Sequence, residues 1–224
     1  DVLGSRGLGD VYKRQIYNYR ELTAELTALG HTFTTRTDTE VLLHGYEQWG
    51  VDLLQRVRGM FTFVIWDKNK QELFGARDHF GIKPFYYAKM NGTFMYASEI
   101  KSLLRHPDFV KELNAEALKP YMTFQYPAIG ETFFKGVYKL PEGHYFTYRD
   151  GKMDIHRYYD EDFREGKQKL GELVNSIDQT VCDSVKAHQI ADVEVGSFLS
   201  SGVDSSYVCL LYTSPSPRDP KTSR

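Results

Sequence analysis

Four strand-like segments joined by very short connections constrain the fold of this chain more than any other feature. They cover residues 60–66, 72–76, 84–88 and 93–97. Parallel neighbours need a crossover of about a dozen residues or more, so these short polar or glycine-containing turns predict antiparallel strands. Further strand signal covers residues 132–140 and 144–148.

Helical patterns accompany these strands without alternating strictly with them. Residues 19–29 carry apolar side chains at helical spacing and are followed by Gly30, a common C-terminal stop. Residues 37–40 (Thr-Asp-Thr-Glu) form a capping-box pattern that opens a helix reaching Trp49. Shorter helices are predicted over 99–105 and 115–124. Runs of strands interleaved with helices in this way are typical of an α+β fold.

Charge and composition exclude several functional classes. The formal net charge is −2, so there is no basic excess to bind nucleic acid. The longest apolar run, residues 61–66, is far shorter than the roughly 20 residues that a membrane helix needs. Cys182 and Cys209 make no disulfide framework, and the absence of a secretory signal pattern predicts a reducing, cytoplasmic location. The seven histidines show no HExxH or other close ligand spacing, so we predict no metal site.

The two ends of the chain differ in composition from the rest. Residues 1–15 show neither helical nor strand periodicity, and residues 211–224 hold three prolines among Ser, Thr and basic residues. Disordered native termini would account for both segments. Both also resemble translated adapter sequence at the ends of environmental sequence fragments. We therefore expect residues 1–15 to be a non-native leader and residues 211–224 a non-native tail.

The character of the chain changes after Tyr159. Residues 160–169 are mostly polar or charged, which suits a linker, and residues 170–185 carry apolar side chains at helical spacing. Residues 193–199 are predicted to form a short strand, followed by a Ser- and Gly-rich loop that opens another helix. The expected division is a first domain over 16–160, then a linker and the start of a second domain over 161–210.

The loop after that predicted strand has the composition of a phosphate-binding loop. A strand, small residues and a helix start bring several backbone N–H groups together, which suits phosphate. The segment resembles the pyrophosphate-binding loop of ATP pyrophosphatases, Ser-Gly-Gly-x-Asp-Ser, with Ser201 in place of the first glycine. The alternative is an ordinary capped helix, because residues 201–204 also fit a capping box. The residues predicted to bind ATP or pyrophosphate are Leu199, Ser200, Ser201, Gly202, Val203, Asp204, Ser205 and Ser206.

Six further motifs follow one another along the first domain. They read Ile-Tyr-Asn-Tyr (16–19), Thr-Asp-Thr-Glu-Val-Leu-Leu (37–43), Arg-Gly-Met-Phe (58–61), Ala-Arg-Asp then Phe-Gly-Ile-Lys-Pro (76–78 and 80–84), Ala-Ser-Glu-Ile-Lys (97–101) and Lys-Leu-Pro-Glu-Gly-His (139–144). With the pyrophosphate loop, this ordered series resembles the glutamine-hydrolysing asparagine synthetases, from residue 16 to about residue 209. The motifs are less specific for the amide acceptor, because related synthetases share the architecture.

The resemblance implies a fold and an activity. The fold is α+β: an incomplete class II glutaminase of the N-terminal-nucleophile type, an αββα sandwich, followed by the first helix and strand of an α/β ATP pyrophosphatase domain. The parent enzyme would convert ATP, aspartate, glutamine and water to AMP, pyrophosphate, asparagine and glutamate. The implied partners are glutamine, aspartate and ATP, with Mg²⁺ as the cofactor of ATP, and a homodimer is compatible with the family. No nucleic-acid or membrane partner is expected.

Asp38 is the one glutamine-site residue that matches the family, where it receives the α-ammonium group of the substrate. A first-turn acid that complements the helix dipole is the alternative. The family's nucleophile is an N-terminal cysteine, whereas this chain starts with Asp1 and has no cysteine before Cys182. Residues 13–15 (Lys-Arg-Gln) stand where the family has the Asn-Gly-Glu that helps to build its oxyanion hole. We therefore expect no catalytic residue here, and an inactive fragment truncated at both ends.

Arg77, Asp78 and Lys83 surround Gly81 in a predicted turn. Such charged residues are found in catalytic clusters, but a tight turn favours Asp and Gly for conformational reasons alone. We interpret the group as a structural hairpin.

Two other functions stay open. One is a different class II amidotransferase joined to a pyrophosphatase-type domain, with another acceptor acid. The other is a glutaminase-like binding domain that carries no nucleophile. The sequence upstream would distinguish a binding domain from an enzyme. The residues that complete the aspartate and ATP pockets would distinguish an amidotransferase with another acceptor acid from an asparagine synthetase.

Overall fold

The chain forms two compact units, Asp1–Asp162 and Phe163–Arg224. The computed structural model describes residues 8–9, 14–126, 130–190 and 195–211. Most of the predicted leader and tail lies outside these residues. Among the described residues, no helix is both long and apolar enough to cross a membrane.

Two antiparallel sheets make up the centre of the first unit. The larger has the order β1 (Leu8–Gly9), β3 (Gly59–Asp67), β4 (Glu72–Arg77), β8 (His144–Arg149), β9 (Lys152–Arg157), and β2 (Arg14–Ile16) also pairs with β3. The smaller has the order β6 (Thr93–Ala97), β5 (Tyr86–Met90), β7 (Val137–Lys139). Every pair is antiparallel, which confirms the prediction made from the short turns.

Helices cover the outer face of each sheet. On the larger sheet, α1 (Tyr19–Ala28), α2 (Asp38–Trp49) and a 3₁₀ turn (Gly50–Gln55) share one apolar cluster with β3 and β4. Beside the smaller sheet, the short α3 (Ile100–Leu103) joins a second cluster through Leu103. The first unit also contains α4 (Ala115–Phe124).

A third apolar cluster lies between the two sheets. Its buried members are Val64 and Phe146 of the larger sheet, Phe85 just before β5 and Leu140 just after β7. Phe94 and Tyr96 of the smaller sheet pack against them. The layers are therefore helix, sheet, sheet, helix, which confirms the predicted α+β sandwich.

The strand register places alternate residues in different clusters. Phe61, Phe63 and Ile65 of β3 face the helices, whereas Val64 faces the smaller sheet. Gly75 of β4 lies opposite Phe146, and a Cβ atom at Gly75 would come within 2.3 Å of that ring. A glycine at this position is what allows the Phe146 ring to fill the space between the sheets.

Two local predictions for the first unit need correction, and one strand was not predicted. The strand expected over 132–140 is only Val137–Lys139, because Thr132 N–H turns back to Val137 O at 2.8 Å. Strand β9 was not predicted; its polar sequence (Lys-Met-Asp-Ile-His-Arg) reflects an edge position next to β8 alone. The turn after Arg77 is not a hairpin, because β4 and β5 belong to different sheets.

The second unit contains two helices, α5 (Leu170–His188) and α6 (Val203–Leu211). The long predicted helix is present as α5. Residues 195–199 of the predicted strand form no strand with any described residue, and residues 193–194 lie outside the described part. A strand needs a hydrogen-bonded neighbour, and the described residues of this unit supply none. The strand predicted over residues 193–199 is therefore absent from its described part, residues 195–199.

Candidate functional site

Asp38 occupies the first position of α2, beside the end of β2. Its carboxylate Oδ2 accepts the backbone N–H of Ile16 at 3.3 Å. The helix is anchored by Val41 and Leu42, which are completely buried against the larger sheet. The positive end of the helix dipole stabilises a negative charge at this position. The fold therefore holds a half-exposed carboxylate next to β2, where it can accept further hydrogen bonds from a cationic group.

Glu40, one turn into α2, shapes the loop that precedes Asp38. Its buried carboxylate accepts two hydrogen bonds from Thr34 (2.7 Å from N, 2.9 Å from Oγ1) and two from Thr35 (2.6 Å each). Burial opposes the charge, but these four bonds outweigh it and hold the pKa of Glu40 at about 2. The predicted capping box is therefore wrong: Glu40 bonds Thr34 and Thr35, and Thr37 makes no side-chain cap. Two nearby hydroxyls compete successfully for the carboxylate.

A recess of about 490 Å³ opens beside this loop. Its walls include Arg20 and Arg36, the hydroxyl-bearing Thr23 and Thr35, and the rings of Tyr19 and Phe33. Such a lining suits an anionic or carboxylate-bearing molecule. Sequence reasoning missed the recess, since Arg20 and Arg36 lie on separate elements and nothing in their spacing indicates that they share a cavity.

Arg77 and Asp78 organise the loop between the two sheets. The buried Arg77 guanidinium donates to three backbone carbonyls, those of Leu140 (2.6 Å), Lys83 (2.8 Å) and Gly81. Burial lowers the pKa of Arg77, but the group stays protonated. The Asp78 carboxylate accepts the N–H groups of Phe80, Ile82 and Lys83 at 2.9–3.2 Å. These contacts agree with a structural role for Arg77 and Asp78, although the turn is not the hairpin that we predicted.

The predicted phosphate loop lies in the second unit, at the start of α6. Ser205 Oγ donates to the carbonyls of Ser200 (3.2 Å) and Gly202 (3.0 Å), and Ser206 Oγ donates to Gly202 O at 2.9 Å. The first intrahelical bond runs from Ser206 N to Gly202 O, so the N–H groups of Val203, Asp204 and Ser205 point out of the first turn. The structure thus brings residues 200–206 into one compact turn. Leu199 and Val203 are exposed beside it.

The remaining predicted positions can also be located. Residue 13 lies outside the described residues, while Arg14, Gln15 and Ile16 form β2. Cys182 lies half-buried on α5 in the second unit. In the sequence, the first unit contains no cysteine.

Comparisons with known proteins place this architecture in a family. The sequence model of the family described as glutamine amidotransferase domain matches residues 6–159, and the one described as asparagine synthase matches residues 176–223. Asparagine synthetase [glutamine-hydrolyzing] 1 of Bacillus subtilis (strain 168) is 43% identical over 199 residues, which cover 88% of this chain and 31% of that protein. A putative asparagine synthetase [glutamine-hydrolyzing] of Mycobacterium bovis is 40% identical over 222 residues, covering 93% and 33%.

Among solved structures, glutamine phosphoribosylpyrophosphate amidotransferase from B. subtilis aligns with a TM-score of 0.47 and 18% identity, over 92% of this chain and 42% of that one. The chain spans about a third of the length of the curated relatives it matches. The amidotransferase match alone extends over well more than half of the chain. The chain therefore belongs to the glutamine amidotransferase domain family and is homologous to the glutamine-hydrolysing asparagine synthetases.

Proposed function

We propose that this chain is part of a glutamine-dependent asparagine synthetase of the cytoplasm. In this proposal the first unit binds glutamine, and residues 199–206 of the second unit bind the phosphates of ATP. The position of Asp38 is the observation that supports it best. A carboxylate is held at a helix N-terminus, 3.3 Å from the backbone of β2, on an αββα sandwich of the matching family.

Asp38 would bind the α-ammonium group of glutamine. The carboxylate accepts the backbone N–H of Ile16 in a geometry set by buried helix residues, and a carboxylate group can accept several hydrogen bonds at once. By resemblance, residues 13–15 occupy the positions of the Asn-Gly-Glu that helps to build the family's oxyanion hole, although here they read Lys-Arg-Gln. An ammonium bound at Asp38 would therefore orient the rest of the substrate along β2. Positioning of this kind supplies a large part of an enzyme's rate enhancement.

The turn at the start of α6 would receive the pyrophosphate of ATP. Its outward N–H groups at Val203, Asp204 and Ser205 suit an anion at a helix N-terminus. Mg²⁺ is usually held by one or two carboxylates together with substrate phosphates, and the exposed Asp204 is a carboxylate in the right place for this. The ion would neutralise phosphate charge. ATP would activate aspartate by adenylylation, because the carboxylate becomes a good acyl donor for ammonia only with AMP as the leaving group.

Glutamine binding by the purified chain tests the first half of this proposal. We expect calorimetry to detect L-glutamine binding that weakens at least tenfold in Asp38→Asn, because a neutral amide loses the ionic contact with the ammonium group. The matched control is Asp52→Asn, an exposed acid in the 3₁₀ turn. Equal affinities for the wild type and Asp38→Asn would contradict the role of Asp38.

The second half requires a longer protein that contains this segment. There, Asp204→Ala should reduce ATP-dependent asparagine formation strongly while ammonia release from glutamine continues. Aspartate should be compared with other small dicarboxylic and amino acids as the acceptor. If amide forms faster on another acid than on aspartate, the protein is a related amidotransferase with that acid as its acceptor. Failure to release ammonia would favour a glutaminase-like binding domain.

A further inference from the structure

Two histidines and a glutamate converge on one point at the C-terminal half of α2. His31 lies in the loop after α1, while His44 and Glu47 lie one turn apart on α2. The separations are 3.2 Å from His31 Nδ1 to His44 Nδ1, 2.9 Å from His44 Nδ1 to Glu47 Oε2, and 3.6 Å from His31 Nδ1 to Glu47 Oε2. These three atoms form a triangle with sides of 2.9–3.6 Å.

The outer nitrogen of each histidine faces an oxygen atom. Gln48 Oε1 lies 2.9 Å from His31 Nε2, and Glu40 Oε1 lies 3.5 Å from His44 Nε2. The acceptor Gln48 Oε1 selects the His31 tautomer with its proton on Nε2. The Glu40 carboxylate makes no hydrogen bond with His44, but its negative charge favours a proton on His44 Nε2. Both Nδ1 atoms then direct lone pairs towards each other and towards the Glu47 carboxylate. Three acceptor atoms within 3.6 Å repel one another unless a metal ion or an additional proton lies between them.

His44 cannot relieve this conflict by exchanging tautomers. Its side chain is only 2% exposed, and its Nε2 makes no hydrogen bond with any described residue. A proton moved to Nδ1 would leave the Nε2 lone pair facing Glu40, which is itself held as an anion by Thr34 and Thr35. Either neutral tautomer therefore leaves one lone pair facing a carboxylate.

We propose that His31, His44 and Glu47 bind a zinc ion through His31 Nδ1, His44 Nδ1 and Glu47 Oε2. A tetrahedral Zn²⁺ with bonds of about 2.0–2.1 Å separates its ligand atoms by about 3.3–3.4 Å, close to the observed triangle. Two imidazoles and one carboxylate suit Zn²⁺ and disfavour Mg²⁺. Glu47 is 26% and His31 15% exposed, so water can reach the fourth position.

This inference departs from the expectation that the sequence holds no metal site. His31 and His44 are thirteen positions apart in the chain, and only the return of the loop onto α2 brings them together. The ion would fasten that loop to the helix. Since the loop leads through Thr34 and Thr35 to Asp38, zinc would stabilise the local structure before the candidate glutamine site. The inference does not depend on the proposed function.

Zinc titration of chelator-treated protein tests the site. Because Cys182 and Cys209 also bind zinc readily, the experiment uses a Cys182→Ser, Cys209→Ser background. We expect one equivalent of Zn²⁺ by calorimetry and elemental analysis, with a higher unfolding temperature. Co²⁺ should give the visible absorption of a four-coordinate site, and Mg²⁺ at equal concentration should have no effect.

Variants of the partly exposed ligands locate the ion. His31→Gln and Glu47→Gln should each weaken zinc binding at least tenfold. Gln48→Ala removes only the partner of His31 Nε2 and should weaken zinc binding by about 10–100-fold at most. His106→Gln, an exposed histidine outside the triangle, is the matched control. Far-UV circular dichroism checks that each variant folds.

Two results would overturn the proposal. The Cys182→Ser, Cys209→Ser protein could bind no zinc, which would mean that a proton on His44 satisfies the same atoms. Alternatively, His31→Gln and Glu47→Gln could bind zinc as tightly as His106→Gln, which would place the ion elsewhere.

Discussion

The two units differ in how much of their apolar surface they bury. The first has three apolar clusters, and Phe61, Phe63, Phe74, Phe85 and Phe146 are all fully buried. In the described part of the second unit, Val185 is the one buried apolar residue, while Leu170, Phe198, Val203 and Leu210 are 77–99% exposed. The first unit therefore has a core that can fix a site by packing. Over its described residues, the second unit relies on local hydrogen bonds instead of a packed apolar core.

This difference extends to the two candidate sites. Asp38 begins a helix whose next turn is completely buried at Val41 and Leu42. The turn around Ser205 rests on exposed bonds to Ser200 and Gly202, and such bonds contribute only about 0.5–1.5 kcal/mol each. The candidate glutamine site should thus be largely preformed, and the candidate phosphate turn should depend more on its ligand or on further contacts.

Truncating a phenylalanine should separate the units most clearly. Phe74→Ala should lower the free energy of unfolding of the first unit by about 3–5 kcal/mol, because Phe74 is 1% exposed and packs against Tyr46 and Tyr145. Phe163→Ala, at 90% exposure in the second unit, should change it by less than about 0.5 kcal/mol. Both tryptophans, at 49 and 66, lie in the first unit, so their emission during denaturant unfolding measures it. Similar costs for the two variants would contradict the contrast in burial.

Removing the buried arginine should have the next largest effect. Arg77→Met leaves the carbonyls of Leu140, Lys83 and Gly81 without their donor and should cost about 2–4 kcal/mol. Arg77→Lys should recover little, since one ammonium group cannot reproduce the planar fork. The control is Arg164→Met in the second unit, where the side chain is exposed. The same tryptophan-monitored unfolding provides the measurement, and full rescue by lysine would show that charge alone matters.

Adding one methyl group should act in opposite directions in the two units. Gly75→Ala forces a Cβ to within 2.3 Å of the buried Phe146 ring and should destabilise the first unit by about 1–3 kcal/mol. Gly171→Ala meets nothing within 4 Å on α5 and should stabilise that helix by about 0.4–1 kcal/mol. Hydrogen exchange of the α5 amides and tryptophan emission measure the two effects separately. A neutral Gly75→Ala would mean that Phe146 can move within its cluster.

Acid should destabilise the first unit through Glu40. Its pKa is lowered from 4.5 to about 2, so its contribution is complete above about pH 4.5 and is lost as the pH falls towards 2. Allowing for solvent screening at the rim of the loop, we expect a loss of about 1–2 kcal/mol over this range. Unfolding measured between pH 5 and 2.5 should show a shallower decline in Glu40→Gln. Glu172→Gln, on exposed α5, should cost less than about 0.5 kcal/mol at pH 7. An unchanged decline in Glu40→Gln would assign the acid sensitivity to other carboxyl groups.

Local sequence patterns predicted the elements of the first unit well, but not their partners. The segments that became β3, β4, β6 and β8 were recognised because their apolar residues and short turns are local properties. The crossing from β4 to β5 was taken for a hairpin, since an Asp- and Gly-containing turn has the same composition whether the next strand joins the same sheet or another. The Thr37–Glu40 capping box failed for a related reason: Thr34 and Thr35 offered closer donors once the loop had folded back.

The sequence alone therefore determined the α+β class, the antiparallel pairing and the family. Turn length, periodicity and ordered motifs are properties of the sequence itself and can be read without knowing which residues are in contact. Tertiary structure decided which sheet each strand joins, where the Glu40 carboxylate binds, and that Arg20 and Arg36 line one recess. It also brought His31 to His44 and Glu47. Each of these depends on residues distant in the chain meeting across a turn or a sheet, and long-range contacts of that kind leave no periodic signal in a single sequence.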